Sequence, residues 1–283
     1  MKSKPIIENI QTKNFLKNNL PFIILTGLFI FNYLPTFLVM WDHWFERDSY
    51  YSHGILIPFI SGFLIWQKRE ELKEIPFQSS RWGIPLIIAG VCIQLLSALF
   101  RVNFSSDFSM LLVLIGMILH FFGKKILYKI RFPIAFLIFM VPMPEVVIAN
   151  ISFKMKIFAT HLATIVLNHM RMPALQKGSI ILMRHAQVQV EDICSGLRSL
   201  ISLMALGSIF AYWMKTSLWK RIFLFLSTMP IAIITNVCRI VFLAAVSEIW
   251  GAQYAEGLVH DIAGFTVFGL AFILLFAMGR LIE

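Results

Sequence analysis

Cys194 stands in the run Glu191-Asp192-Ile193-Cys194-Ser195-Gly196-Leu197-Arg198-Ser199-Leu200, where a polar stretch turns into an apolar one. A helix is expected to start within a turn of it. A thiol at that place meets the positive end of the helix dipole, which favours the thiolate. Arg198 is four residues on, on the same helical face, and a guanidinium there lowers the thiol pKa further. Gly196 keeps the backbone slim and the sulfur open to attack. The second anomaly is Arg239, inside an apolar run, with Thr235 and Asn236 a turn earlier. An arginine at membrane depth is costly and usually faces a polar interior site, although snorkelling to the headgroups is the bland alternative. The third is His260, which opens the last apolar segment beside Asp261. Asp261 has a plain reading too, as a helix N-cap. A cysteine, an arginine and a histidine are the parts of a thiol acyl-transfer site: nucleophile, oxyanion partner and proton carrier.

The elements that must position these groups are membrane spans. Of the 283 residues, 58% are hydrophobic and 14% charged, against roughly 25% charged in soluble domains. The mean hydropathy is +0.78. Apolar stretches recur at about 21–40, 53–67, 83–100, 107–123, 132–148, 197–213, 221–247 and 259–280. The expected fold is therefore an all-α integral membrane protein, a polytopic bundle of about eight transmembrane helices, because a spanning helix satisfies its own backbone hydrogen bonds. The segment 53–67 is short for a span and is interrupted by Pro58 and Gly62. Residues 1–20 form a polar, basic tail, and 1–283 is expected to be one domain.

Sidedness follows from the 25 Lys and Arg residues. With the N-terminus inside, most of them fall on inner segments, among them Lys2 to Lys17, Lys68 to Arg81, Lys124 to Arg131 and Lys215 to Arg221. The positive-inside rule then favours N-in and C-in. Cys194 and His260 come out on the outer side. Arg239, 18 residues past Arg221, comes out roughly 27 Å from the inner surface, within the outer leaflet. The one sizeable outer segment is about 149–196. Within it, 150–170 has apolar residues at helical spacing, expected to lie on the membrane or over the bundle. Residues 178–190 have the partial alternation of a short two-stranded element.

Other functions fit less well. The net charge of +10 is spread over loops between spans, which reports topology rather than a nucleic-acid partner. Cys92, Cys194 and Cys238 make no CxxC or metal-ligand spacing, so neither a disulfide scaffold nor a metal or other cofactor is implied; Cys92 and Cys238 read as small hydrophobes. A transporter or channel predicts ionisable residues through both leaflets, whereas the inner halves of the spans read as apolar. An aspartic intramembrane peptidase would need a pair among Asp48, Asp107, Asp192 and Asp261. The GxSG of a rhomboid-type serine site and the Asp-His-His-Cys of a palmitoyltransferase are missing.

Taken together, Asp192-Ile193-Cys194-Ser195-Gly196-Leu197-Arg198-Ser199, Asn236-Val237-Cys238-Arg239-Ile240 and His260-Asp261-Ile262-Ala263-Gly264 resemble the motifs of the exosortase/archaeosortase family of membrane-embedded cysteine transpeptidases. Tyr51-Ser52-His53-Gly54 with Pro58, and Val141-Pro142-Met143-Pro144, resemble further signatures of that family. The resemblance covers roughly 40–280. It implies a thioester on Cys194, with Arg239 and His260 completing a triad. It implies support from Arg198, Asn236 and Asp261, and Tyr51 and His53 lining the site from the outer side. Its substrates would be exported proteins ending in a tripartite sorting signal: a short motif such as Val-Pro-Glu-Pro, a transmembrane helix and a basic tail. The acyl group would pass to an acceptor nucleophile that the motifs do not name. The protein would reside in the lipid bilayer of a bacterial inner membrane. Arginine stays protonated, so His260 is the physical choice for protonating the leaving amine, while family descriptions also treat the arginine as a donor.

Overall fold

The computed structural model describes residues 4–47, 49–190, 195–255 and 257–282, with side chains from Leu20 onward except that of Asp261. It is about 78% helical. In chain order the helices are α1 (Lys4–Phe45), α2 (Leu56–Gln67), α3 (Arg69–Lys73), α4 (Gly83–Phe100), α5 (Asn103–Phe121), α6 (Lys124–Lys129), α7 (Arg131–Phe136) and a 3-10 turn (Leu137–Met140). Next come α8 (Glu145–His169), three strands β1 (Leu175–Lys177), β2 (Ile180–Leu182) and β3 (Gln187–Gln189), then α9 (Leu197–Trp213), α10 (Leu218–Trp250), α11 (Ala252–Ala255) and α12 (Leu258–Ile282). The protein is an all-α polytopic membrane protein. Among the described residues, six helices are long and apolar enough to cross a bilayer: α4, α5, α8, α10, α12 and the Leu20–Phe45 part of α1.

Three of the eight expected segments are shorter than a span. The α2 helix has 12 residues, about 18 Å at 1.5 Å each, and α9 has 17. The segment 132–148 does not run through. Pro142 and Pro144 have no N–H to continue a ladder, so the helix ends at Met140 and α8 starts after Pro144. Conversely, the helix expected over 150–170 extends over Glu145–His169, which is 25 residues and of spanning length. The two strands expected within 178–190 are β2 and β3, and β1 just before them makes a third among the described residues. Gly178, at φ +64°, and Ser179 form a two-residue turn that pairs Leu175–Lys177 with Ile180–Leu182.

The chain divides into two compact units. The first holds residues up to His43 and Ile55–Val141. Its tightest packing is between α4 and α5, where Gly83, Gly90 and Ser97 recur every seven residues on the buried face of α4. A Cβ on Gly83 would stand 2.5 Å from the Gly116 carbonyl oxygen and 2.6 Å from the His120 backbone nitrogen. Hydroxyls and an amide tie α1, α4 and α5 together. Thr36 and Ser106 are 2.6 Å apart, Gln94 Oε1 accepts from Ser106 at 2.6 Å, and Ser109 is hydrogen-bonded to Tyr33 at 3.0 Å.

The second unit holds Trp44–Gly54 and Pro142–Glu283. One core layer joins α8 (Ala159, Ala163, Leu167), the sheet (Ile181, Val190) and α10 (Ile240, Ala244). Another joins α9, α10 and α12 through Leu203, Leu224, Ala271 and Leu275. The α9 helix runs antiparallel to α10. Met214, just past its C-terminal end, shares that core with Leu224, while its N-terminal end meets Asn236.

Candidate active site

Cys194, Asp192 and the side chain of Asp261 lie outside the described residues, but both flanks of the cysteine are described. On one side Val190 is buried against α10, and its N–H donates to the Ser179 carbonyl at 2.9 Å. On the other, Ser195 is buried and its hydroxyl accepts the Leu197 N–H at 3.3 Å. Gly196 has φ +83°, a region costly for any residue with a Cβ. A Cβ there would also lie 2.8 Å from Cγ and Nδ2 of Asn236. The first turn of α9 therefore rests directly on the Asn236 side chain of α10.

Asn236 and Arg239 are both buried, three residues apart on one face of α10. The guanidinium crosses to α12, where Nη1 is 3.7 Å from the position a Cβ on Gly264 would take. His260 precedes Gly264 by one helical turn and shares its face. Arg239 and His260, on separate helices, are thus brought to adjacent levels of one seam, with Asn236 linking that seam to the start of α9. His260 is half-buried and lines a cavity of about 460 Å³ with β3, Ser247 of α10 and the α11 turn. Arg239 also borders an apolar groove of about 420 Å³ between α10 and α12, flanked by the exposed side chains of Phe242 and Ile262.

The segment Trp44–Gly54 forms a strap in the same unit. Tyr51 is buried, and its hydroxyl accepts the Met143 N–H at 3.0 Å. Burial holds its phenol above the ordinary value of 10.0, against the opposing effect of that hydrogen bond. The Tyr51 ring stacks on His53 at 6.1 Å. Nδ1 of His53 is hydrogen-bonded to Ser202 Oγ at 3.2 Å. Ser202 is one turn after Arg198 on α9, so His53 and Arg198 address one face of that helix. Gly54 lies flush against the Trp44 indole, where a Cβ has no room.

Of the residues singled out by sequence, Arg239, Asn236 and His260 fall along the α10–α12 seam, while Tyr51 stacks on His53, which bonds Ser202 of α9 one turn from Arg198. Ser202 and Ser247 were missed, and Gly264 was read only as part of the His260 motif. Ser202 and Gly264 each carried a readable signal, four-residue spacing from Arg198 and from His260. Cys92 and Cys238 sit at exposed positions of α4 and α10, as small hydrophobes do on helices facing lipid. Asp107, expected at the start of the segment 107–123, is buried on α5 in the first unit.

Compared with known proteins, residues 41–277 match a family model described as transmembrane exosortase. No curated protein and no solved structure matches the chain.

Proposed function

The chain belongs to the transmembrane exosortase family, and from that premise we propose that it is a cysteine transpeptidase of exported proteins, with Cys194 as nucleophile. Family membership carries the coarser part, a membrane-embedded enzyme of transpeptidase type that processes exported proteins. What supports the finer part is one contact chain: the N-terminus of α9 on Asn236, Asn236 one turn from Arg239, and Arg239 against α12 one turn from His260.

In the proposed reaction the Cys194 thiolate attacks the carbonyl carbon of the scissile peptide bond. The start of α9 and the nearby Arg198 favour the thiolate. Arg239 stabilises the oxyanion of the tetrahedral intermediate. The C–N bond then breaks, and His260 gives its proton to the departing amine. A thioester is left on Cys194 while the C-terminal piece, a transmembrane helix with a basic tail, leaves. An acceptor nucleophile attacks the thioester carbonyl, its proton returns to His260, and the thiolate is released. Tyr51 and His53 position Arg198 through the α9 face they share. The site opens to the outer side of a bacterial inner membrane, with both termini inside.

The test is processing of a membrane-anchored reporter that ends in Val-Pro-Glu-Pro, an apolar span and a basic tail. Cys194→Ala and Arg239→Ala are each expected to abolish processing while the protein accumulates normally. Normal processing in either variant removes the thiol mechanism.

A further inference from the structure

Strand β3 is the outermost strand of its sheet, paired with β2 and with no further strand among the described residues. The direction of its backbone groups follows from the ladder. Val190 N–H donates to Ser179 O and Met183 N–H donates to Ala186 O, both at 2.9 Å, and Ile181 is the register partner of Val188. Hydrogen-bonded pairs alternate in an antiparallel ladder, so Ala186, Val188 and Val190 turn their N–H and C=O toward β2. Gln187 and Gln189 turn theirs the other way, to an edge with no described strand on it.

That edge borders a cavity. Gln187, Val188, Gln189 and Val190, four consecutive residues, line the 460 Å³ cavity that contains His260. A cavity on a sheet face would be lined by alternate residues only, since successive side chains point to opposite faces. Lining by all four marks the edge. Across the cavity, Ser247 Oγ is buried and has no hydrogen-bond partner among the described residues. The hairpin is held in place from α10, where Glu248 Oε2 accepts the His185 N–H at 3.0 Å. Along the chain, β3 leads to Cys194 within five residues of Gln189.

We propose that β3 is a substrate-docking strand: the extended polypeptide to be cleaved adds to its free edge as a fourth strand, between Gln187, Gln189 and His260. The occupant is a peptide because only a peptide offers N–H and C=O groups at the two-residue repeat that this edge presents. Pairing delivers the main chain to the cysteine by backbone hydrogen bonds, independent of side-chain sequence, and leaves the cavity to read the side chains. The inference rests on the proposed peptide chemistry and adds how the peptide is held.

Proline separates the two. Gln187→Pro or Gln189→Pro removes one outward N–H while the bonds to β2 remain, a substitution that edge strands tolerate. With the Val-Pro-Glu-Pro reporter, each proline variant is expected to process about tenfold less than its alanine counterpart, Gln187→Ala or Gln189→Ala, near the upper worth of one hydrogen bond. Iodoacetamide labelling of Cys194 is expected to be equal in all four. Equal processing by the proline and alanine variants overturns strand addition. A second arm needs no proline: benzoylphenylalanine placed at Gln187 in the Cys194→Ala protein is expected to photocapture the reporter at its motif, and a lack of capture also overturns docking here. If the Cys194→Ala protein still cleaves, the thiol chemistry falls, while the proline contrast and the capture continue to report on docking alone.

Discussion

Gly196 has no functional group, yet it sets how closely the cysteine loop approaches the arginine helix. Its left-handed backbone disfavours any other residue by roughly 1–2 kcal/mol, and its missing Cβ is what lets α9 sit on Asn236. Gly196→Ala is expected to displace the Asn236 side chain and depress processing far more than accumulation. In a double-mutant cycle with Asn236→Ala, which removes the two nearest atoms, Cγ and Nδ2, the double variant loses less than the sum of the singles, with a coupling of about 0.5–3 kcal/mol. Strict additivity sinks the contact argument. The strap is held by a simpler bond. Tyr51→Phe leaves the Met143 N–H without its acceptor and is expected to cost about 1 kcal/mol, read as a lower Tm. Because burial holds folded Tyr51 above 10.0, the stability that comes from keeping its phenol neutral is intact below pH 10 and fades as pH rises through the higher folded value. His260 has its own discriminating pair: processing by His260→Arg but not by His260→Ala assigns that position a cationic role, and loss in both assigns it the proton.

At the level of elements, glycines distinguish packed helices from lipid-facing ones. A Cβ on Gly83 of α4 meets backbone atoms of α5, which no rotamer change can move, whereas Gly27 of α1 has nothing within 4 Å. Gly83→Val is expected to destabilise by about 1–3 kcal/mol as an overpacked contact, and Gly27→Val to leave Tm near its starting value; the reverse order refutes this packing. Which stretches become helices was readable from hydropathy alone for α1, α4, α5, α10 and α12, since an unbroken apolar run leaves no alternative in lipid. The α8 helix was harder to read. Asn150, Lys154, Lys156 and His161 lower its best window to a hydropathy of 1.3, against 2.0 for α10, and such a stretch resembles a surface helix. The break at Pro142 and Pro144 was in plain view but overridden by the apolar residues around it. The site was legible as residue types, because Arg239 in an apolar run has few structural explanations. Its wiring was not: Gly196 on Asn236 and His53 on Ser202 join positions 40 and 149 residues apart in the sequence, and no local pattern encodes such pairs.

For the molecule as a whole, the length of α10 bears on the depth at which the chemistry is placed. Its 33 residues extend about 50 Å, while a hydrocarbon core takes about 30 Å. Counted from Arg221, the last basic residue at its inner end, that core is crossed near Val241, and around that level the helix packs against the sheet through Val237, Ile240, Val241 and Ala244. Strands with exposed Gln187 and Gln189 and an open edge do not reside in lipid. The last turns of α10 are therefore expected to project beyond the bilayer, with Arg239 in the outer leaflet close to its edge. There a guanidinium costs far less than at the bilayer centre, and a substrate helix in lipid meets the site where its extended segment emerges. Sidedness is the remaining question, and it has a direct answer. In a protein with Cys92, Cys194 and Cys238 replaced by serine, Gln187→Cys and Gln253→Cys are expected to react with a membrane-impermeant maleimide applied to intact spheroplasts. Lys215→Cys, at the other end of α9 and α10, is expected to react only after permeabilisation. The opposite pattern would invert the protein in its membrane and remove the outer-side site, since Arg239, His260 and the sheet lie toward the Gln253 end of α10.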